Sequence, residues 1–165
     1  MSEGLKRTLY ERFLHFVHLT EQMFTAEISE FTGLAQSHGI TSIPSNLTSV
    51  HVIDCIGNNE PINNTSIAEK MNLSKASISK ISNKLLQEGF IKRNQMVDNK
   101  KEVYLTLSPK GKRIYELHAT MHELMEVRFI SVLNALSESE IQASLKFFQV
   151  MIEKRDEMFK VESLR

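Results

Sequence analysis

Large apolar side chains recur at helical spacing from Leu5 to Phe31, through Leu9, Phe13, Phe16, Val17, Met23, Phe24 and Ile28. The pattern predicts one long amphipathic helix. The stretch TGLAQSHGITSIPSN, punctuated by Gly33, Gly39 and Pro44, reads as a loop. Asn46 or Thr48 starts a second helix with Val50, Val52, Ile53 and Ile56 on its apolar face, and Gly57 is its expected stop. NNEPINN is a turn, and a short helix, SIAEKM, follows with Thr65 as its cap. Asn72-Leu73 joins it tightly to KASISKISNKLLQEG, which Ser74 caps and Gly89 ends. The period then falls to two. FIKRNQMV and EVYLTL flank the polar DNKK as a hairpin, with Val103, Leu105 and Leu107 on one face and Tyr104 and Thr106 on the other. Ser108-Pro109 opens another helix from Lys110 to about Leu136. Ser137, with Glu140 three residues on, forms a capping box for a last helix carrying Ile141, Leu145, Phe148, Ile152 and Phe159.

The elements predict a mainly α protein with one small β-hairpin. Its 165 residues, 41% apolar and 24% charged, suit a globular chain of about one domain. No run approaches the ~18 apolar residues of a membrane span. The N-terminal MSEGLKRTLYERFLHF has no apolar signal core, and the single cysteine, Cys55, can form no internal disulfide. A cytoplasmic protein without a membrane partner is expected. Twenty basic and twenty acidic residues cancel, yet they are not evenly spread. Lys70, Lys75, Lys80, Lys84, Lys92, Arg93, Lys100 and Lys101 face only Glu88 and Asp98 in one window, a local excess of six positive charges. Screening limits charge interactions to roughly 8–10 Å, so such a window can neutralise phosphates in a chain of zero net charge.

Within that window, Ile67, Ala68 and Met71 turn inward on the shorter helix, Leu73 sits at the turn, and Ile78, Ile81, Leu85 and Leu86 stripe the longer one. The stripe leaves Lys75, Ala76, Ser77, Ser79, Lys80 and Asn83 outside, with Lys84 on the same basic edge. A docked apolar face and an outer face of small, hydrogen-bonding and cationic residues is what a helix reading the major groove requires. From about Thr48 to His122 the chain resembles the MarR family of winged helix-turn-helix regulators, on IAEKMNLSKASISKISNKLLQEGFIKR, a polar wing tip, and VYLTLSPKGK. The resemblance implies binding to double-stranded DNA, a wing in the minor groove, and a homodimer interlocked by helices from both ends of the chain. On that plan residues 1–45 are the N-terminal dimerisation helix and loop, 46–108 the winged helix-turn-helix, and 109–165 the C-terminal dimerisation helices. Family wings carry Asp-x-Arg where this chain has Asn99-Lys100-Lys101, so Lys101 replaces the arginine and Asp98 is the neighbouring carboxylate. Lysine keeps the charge but lacks the planar fork suited to a narrow groove. Phe147, Phe148, Met151 and Phe159 independently call for a partner chain, and paired recognition helices about 34–36 Å apart would read a pseudo-palindrome.

Six histidines occur, and His118 and His122 stand four apart on a predicted helix, where two imidazoles can converge on one ion. In ELHATMHE and LTSVHVI the chain is similar to the zinc-sensing branch of the MarR family, the repressors of zinc uptake. That resemblance implies a regulatory Zn(II) held by His51, His118, His122 and a carboxylate of the first helix. Glu27 is the choice, with Glu21 and Glu30 as rivals and His38 as a replacement ligand. Three imidazoles and a carboxylate suit Zn(II) at roughly 2.0–2.2 Å per bond. The branch's accessory site is not expected, because Val50 and Leu117 stand where its glutamates would be, and Cys55 reads as a small packed hydrophobe. His15 and His18 receive no role. The function expected is a repressor whose operator affinity Zn(II) controls. The alternative is a MarR-type repressor released by a small aromatic or lipophilic ligand, with no metal site. A thiol sensor is disfavoured by the place of Cys55. A zinc hydrolase is disfavoured because Ala119 stands where metalloproteases have their glutamate, and a DNA-free structural dimer by the readable recognition helix.

Overall fold

A computed structural model describes the backbone of residues 3–96, 99–155 and 157, and their side chains except at 21–25, 95–96 and 99–101. Along the chain lie α1 (Glu3–Ser37), α2 (Leu47–Asn59), β1 (Ile62–Asn63), α3 (Asn64–Met71), α4 (Lys75–Gln87), β2 (Ile91–Met96), β3 (Asn99–Leu107), α5 (Pro109–Leu133) and α6 (Glu138–Glu153). The described residues up to 122 form one compact unit and those from 123 onward another.

The first unit holds the buried core, in which Phe31 and Ala35 of α1 meet Val52, Ile53 and Ile56 of α2, Ile67 of α3, Ile78 and Leu85 of α4, Phe90, Leu105 of β3 and Ile114 of α5. This burial explains where α1 departs from expectation. The helix runs through Gly33 to Ser37, because Phe31 and Ala35 are fixed in the core and a mid-helix glycine costs only about 1 kcal/mol. Gly39, at φ +67°, is the residue that turns the chain away. Likewise α2 starts at its Asn46 cap but continues past Gly57 to Asn59. Asn63 caps α3 in place of Thr65, accepting from the Ser66 amide at 2.8 Å. Asn72, left-handed at φ 53°, makes the tight connection to α4.

The wing has one strand more than expected. The antiparallel order is β1-β3-β2, with Ile62 opposite Leu105 and Ile91 opposite Leu107. Two residues of β1 are too short to show any period. Glu60 prolongs the pairing, its carboxylate accepting from the Leu107 amide at 2.6 Å. Leu105 and Leu107 are buried as the alternation predicts, but Val103 is exposed because β3 leaves the core before reaching it.

In the second unit, Ser137 and Glu140 form the expected capping box at α6, and none of the described α6 residues is buried. Val127, Phe129, Ile130 and Val132 of α5 and Leu145, Phe148, Val150 and Ile152 of α6 are exposed, as are Leu9, Tyr10, Leu14, Phe16 and Leu19 on α1. Full burial of such a side chain from full exposure is worth about 1.5–3 kcal/mol, and these part-exposed side chains forgo a share of it, so the faces suit a partner chain. Phe159 lies outside the described residues. No described helix is long and apolar enough to cross a membrane.

Candidate nucleic-acid interface and imidazole cluster

Helix α4 presents its outer face as the apolar stripe requires. Ser74 caps it by accepting from the Ser77 amide at 3.1 Å. Lys75, Ala76, Ser77, Lys80, Asn83 and Lys84 are exposed, and Ser79 is half-buried. Ser82 turns out to belong to the inner face, where its hydroxyl donates to Asn64 of α3 at 2.8 Å. The candidates are not equally available. The Ser77 hydroxyl lies 2.8 Å from that of Ser74, and the Lys84 ammonium donates to Ser45 at 2.7 Å, so both are engaged within the fold. Between α4 and the start of α2 lies a groove of about 530 Å³ lined by Asn46, Thr48, Ser77, Lys80 and Lys84 among others. Its hydroxyls and ammonium groups have the chemistry of a phosphate contact. Arg93, absent from the sequence-based candidates, reaches from β2 to Asn83, its Nη2 donating to Oδ1 at 3.0 Å. In the wing the backbone of Asn99, Lys100 and Lys101 belongs to β3, but their side chains, like Asp98, lie outside the described residues.

The second site forms where α2 meets α5. Gly57 makes the close approach possible, since a Cβ there would run into the ring of Tyr115. The Tyr115 hydroxyl donates to Asn58 Oδ1 at 2.8 Å, and Asn58 Nδ2 donates to Asp54 Oδ2 at 3.1 Å. The other oxygen of Asp54 is 3.3 Å from His118 Nδ1, and His118 Nε2 is 3.0 Å from His122 Nε2. The His51 ring centroid lies 5.2 Å from that of His118. His118 is buried, only 2% exposed, whereas His51 and His122 are exposed. Of the four expected ligands, His118 and His122 thus touch, and His51 lies beside them without reaching the pair.

The fourth position is different. Glu27 is half-buried on α1, with no hydrogen bond or ion pair to these histidines among the described residues. Glu30 is exposed on α1, the side chain of Glu21 lies outside the described residues, and the His38 ring sits 2.9 Å from the Leu34 carbonyl at the end of its own helix. Among the described residues the carboxylate that touches these histidines is that of Asp54, which sequence reasoning missed. Its signal was present in the three-residue step from His51, which places both on one face of α2. Cys55 is half-buried against the core, burial pushing its thiol above the ordinary range, while Val50 and Leu117 are buried core residues. His15 and His18 are exposed.

As placed, no three described His, Cys, Asp or Glu side chains stand close enough together to hold a metal ion. The donor chemistry nevertheless fits one. Two imidazole nitrogens on one tetrahedral zinc are separated by roughly 3.3 Å, given bonds of ~2.0–2.1 Å. The His118–His122 pair is within a few tenths of an ångström of that separation. Asp54 at Nδ1 selects the tautomer that leaves the His118 Nε2 lone pair outward, the carboxylate–histidine arrangement common behind metal ligands.

Burial, more strongly than the Asp54 contact opposes it, pushes the His118 pKa below its usual value, and the neighbouring His122 and His51 push the same way. The unfolded chain takes up that proton near pH 6.5, the folded chain only below it. Stability is therefore expected to fall as pH drops through about 6.5 and to level off below the folded-state pKa. Thermal melts of the chelator-treated protein and of His118→Asn across this range check it; equal pH slopes for the two would contradict it.

A family model described as MarR family matches residues 46–103. The chain is 46% identical over 149 residues to the HTH-type transcriptional regulator PchR of Bacillus subtilis (strain 168), covering 90% of this chain and 88% of that one. Among solved structures it resembles Streptococcus pneumoniae FabT in complex with DNA, with TM-score 0.70 and 22% identity over 90% of this chain and 99% of that chain. It also resembles ZitR, a zinc-responsive MarR family member of Lactococcus lactis, with TM-score 0.61 and 20% identity over 79% of this chain and 97% of that chain. With a helix-turn-helix and wing built as described and a close relative along nine-tenths of its length, the chain belongs to the MarR family of winged helix-turn-helix transcriptional regulators.

Proposed function

We propose that this regulator is a repressor whose operator affinity is controlled by Zn(II) bound at His51, His118 and His122. DNA binding, the dimer and the absence of an enzymatic role come with the family. The metal control is the proposal, and the observation that carries it is the 3.0 Å approach of His118 Nε2 to His122 Nε2 with Asp54 behind it. The zinc-responsive ZitR of Lactococcus lactis shares the fold. A bound ion would supply a strong, directional link between imidazoles.

The residues do the rest. Asp54 holds the His118 ring and its tautomer, with Asn58 and Tyr115 bracing the carboxylate. For His122 to offer a lone pair at Nε2, its proton moves to Nδ1. His51 completes the set by rotating its exposed side chain toward the pair, and Glu27 is the carboxylate proposed for the remaining position. With all of them engaged, α2 and α5 are held at one separation. Because α2 also packs on α3 and α4, that separation sets the attitude of the recognition helix. Operator affinity rises only if the ion prefers this conformation, and couplings of about 1–3 kcal/mol are typical.

The test is competition of the metal-stripped protein against a calibrated chelator, followed by operator titrations with and without zinc. About one tight ion per protomer and a roughly 5- to 150-fold gain in operator affinity are expected. Binding no tighter than that of scattered surface histidines would overturn the reading and leave the small aromatic or lipophilic ligand in its place.

A further inference from the structure

Arginine offers only donors, so the Asn83 atom that faces Arg93 Nη2 at 3.0 Å has to be its carbonyl oxygen. The carboxamide is thereby oriented by chemistry, with its NH₂ turned away from the guanidinium. Asn83 lies seven residues beyond Ala76 and three beyond Lys80, on the same exposed face of α4. Arg93 itself is exposed on β2, and the two side chains line one side of an open cavity of about 440 Å³ with Leu86 and Gln87. An asparagine recognises adenine by accepting from N6 while donating to N7. Here one lone pair of the accepting oxygen already holds a cationic donor, and an adenine N6 amine brought to the other would face the guanidinium's positive charge. The donors the pair leaves unused by this bond are the Asn83 NH₂ and the remaining guanidinium N–H groups.

We infer that Asn83 and Arg93 act as one donor-rich, positively charged unit, which reads an acceptor-rich base edge, the O6 and N7 of guanine, and disfavours adenine. Arg93 is a specificity-determining residue that works through Asn83. The inference rests on the DNA-binding function of the family and not on metal control.

Selection of operators from a random double-stranded pool by the full-length protein tests it, run once in chelator and once with zinc so that the outcome does not depend on the metal. Enrichment of any defined sequence by the wild type establishes DNA reading separately. The wild type is expected to favour guanine over adenine at one position of each half-site, by roughly 5- to 150-fold. Asn83→Ala flattens that position alone. Arg93→Met, which keeps the apolar stem, removes the guanine preference or turns it toward adenine. Arg93→Lys, which still donates to Oδ1, retains most of the preference and serves if Arg93→Met fails to fold. Identical base preferences in wild type and Asn83→Ala would overturn the inference. So would uniform weakening by Arg93→Met with no change at the Asn83 position, the behaviour of a phosphate contact.

Discussion

His122→Ala is expected to abolish the response of operator affinity to zinc while leaving affinity in chelator within about two-fold of wild type, a small fraction of the 1–3 kcal/mol coupling typical of such switches. His122 is the informative position because it is exposed. Truncating it removes one nitrogen of the 3.0 Å pair without opening the core. His118→Ala would be harder to interpret, since that ring is buried and touches Asp54, so its loss would leave a hole and a carboxylate without its imidazole. Asp54→Ala gives a graded companion result. It keeps all three imidazoles but frees the His118 tautomer, and removal of such an outer partner commonly costs about 10–100-fold in metal affinity. Its response should return at saturating zinc, whereas that of His122→Ala should not. Anisotropy titrations of a labelled operator across zinc concentrations measure both. A full zinc response in His122→Ala would remove the histidine pair from the mechanism.

Gly111→Ala is expected to have the largest effect on stability, about 1–3 kcal/mol of destabilisation, the range for overpacking a filled site. Gly111 is buried in the first turn of α5, where a Cβ would overlap the backbone carbonyl of Phe90. That carbonyl cannot swing aside as a side-chain tip could. It accepts from the Ser108 amide at 3.0 Å and from the Ser108 hydroxyl at 3.0 Å. The same hydroxyl lies 2.6 Å from the Gly89 carbonyl oxygen and accepts from the Gly111 amide at 3.0 Å. Lys110 adds a bond to the Glu88 carbonyl at 2.7 Å, with its ammonium 4.1 Å above the Phe90 ring. The turn after α4 and the start of α5 are therefore one hydrogen-bonded joint. Alanine's better helix propensity, worth about 1 kcal/mol, opposes the overlap but does not offset its upper range. Thermal melts at fixed protein concentration should place the midpoint several degrees below wild type, at roughly 2–4 °C per kcal/mol for a chain of this size. An unchanged or raised midpoint would show that the joint relaxes freely.

Much of the architecture was legible along the chain because it is local. Ser74, Asn46 and Ser137 cap helices through bonds that reach only three residues ahead, so their meaning survives without a tertiary context. The apolar stripe of α4 and the basic window around it follow from a 3.6-residue period and a count of charges. The step from His118 to His122 likewise lies within one helix. Gly33 and Gly57 were misread because a glycine looks the same whether it ends a helix or lets two helices touch. Gly57 and Gly33 sit inside α2 and α1, and nothing local showed that a neighbour's carbonyl fills the space at Gly111. Two-residue β1 has no period to detect, and Val103 obeys an alternation whose core stops short of it. The functional partners across sequence were also out of reach. Asp54 meets His118 over 64 residues and Asn83 meets Arg93 across the turn into β2. Local periodicity and capping chemistry specify which segments coil and which face is oily. Which polar group meets which is set only when those faces dock, because a hydrogen bond reaches about 3 Å and the chain does not say which distant atoms will come that close.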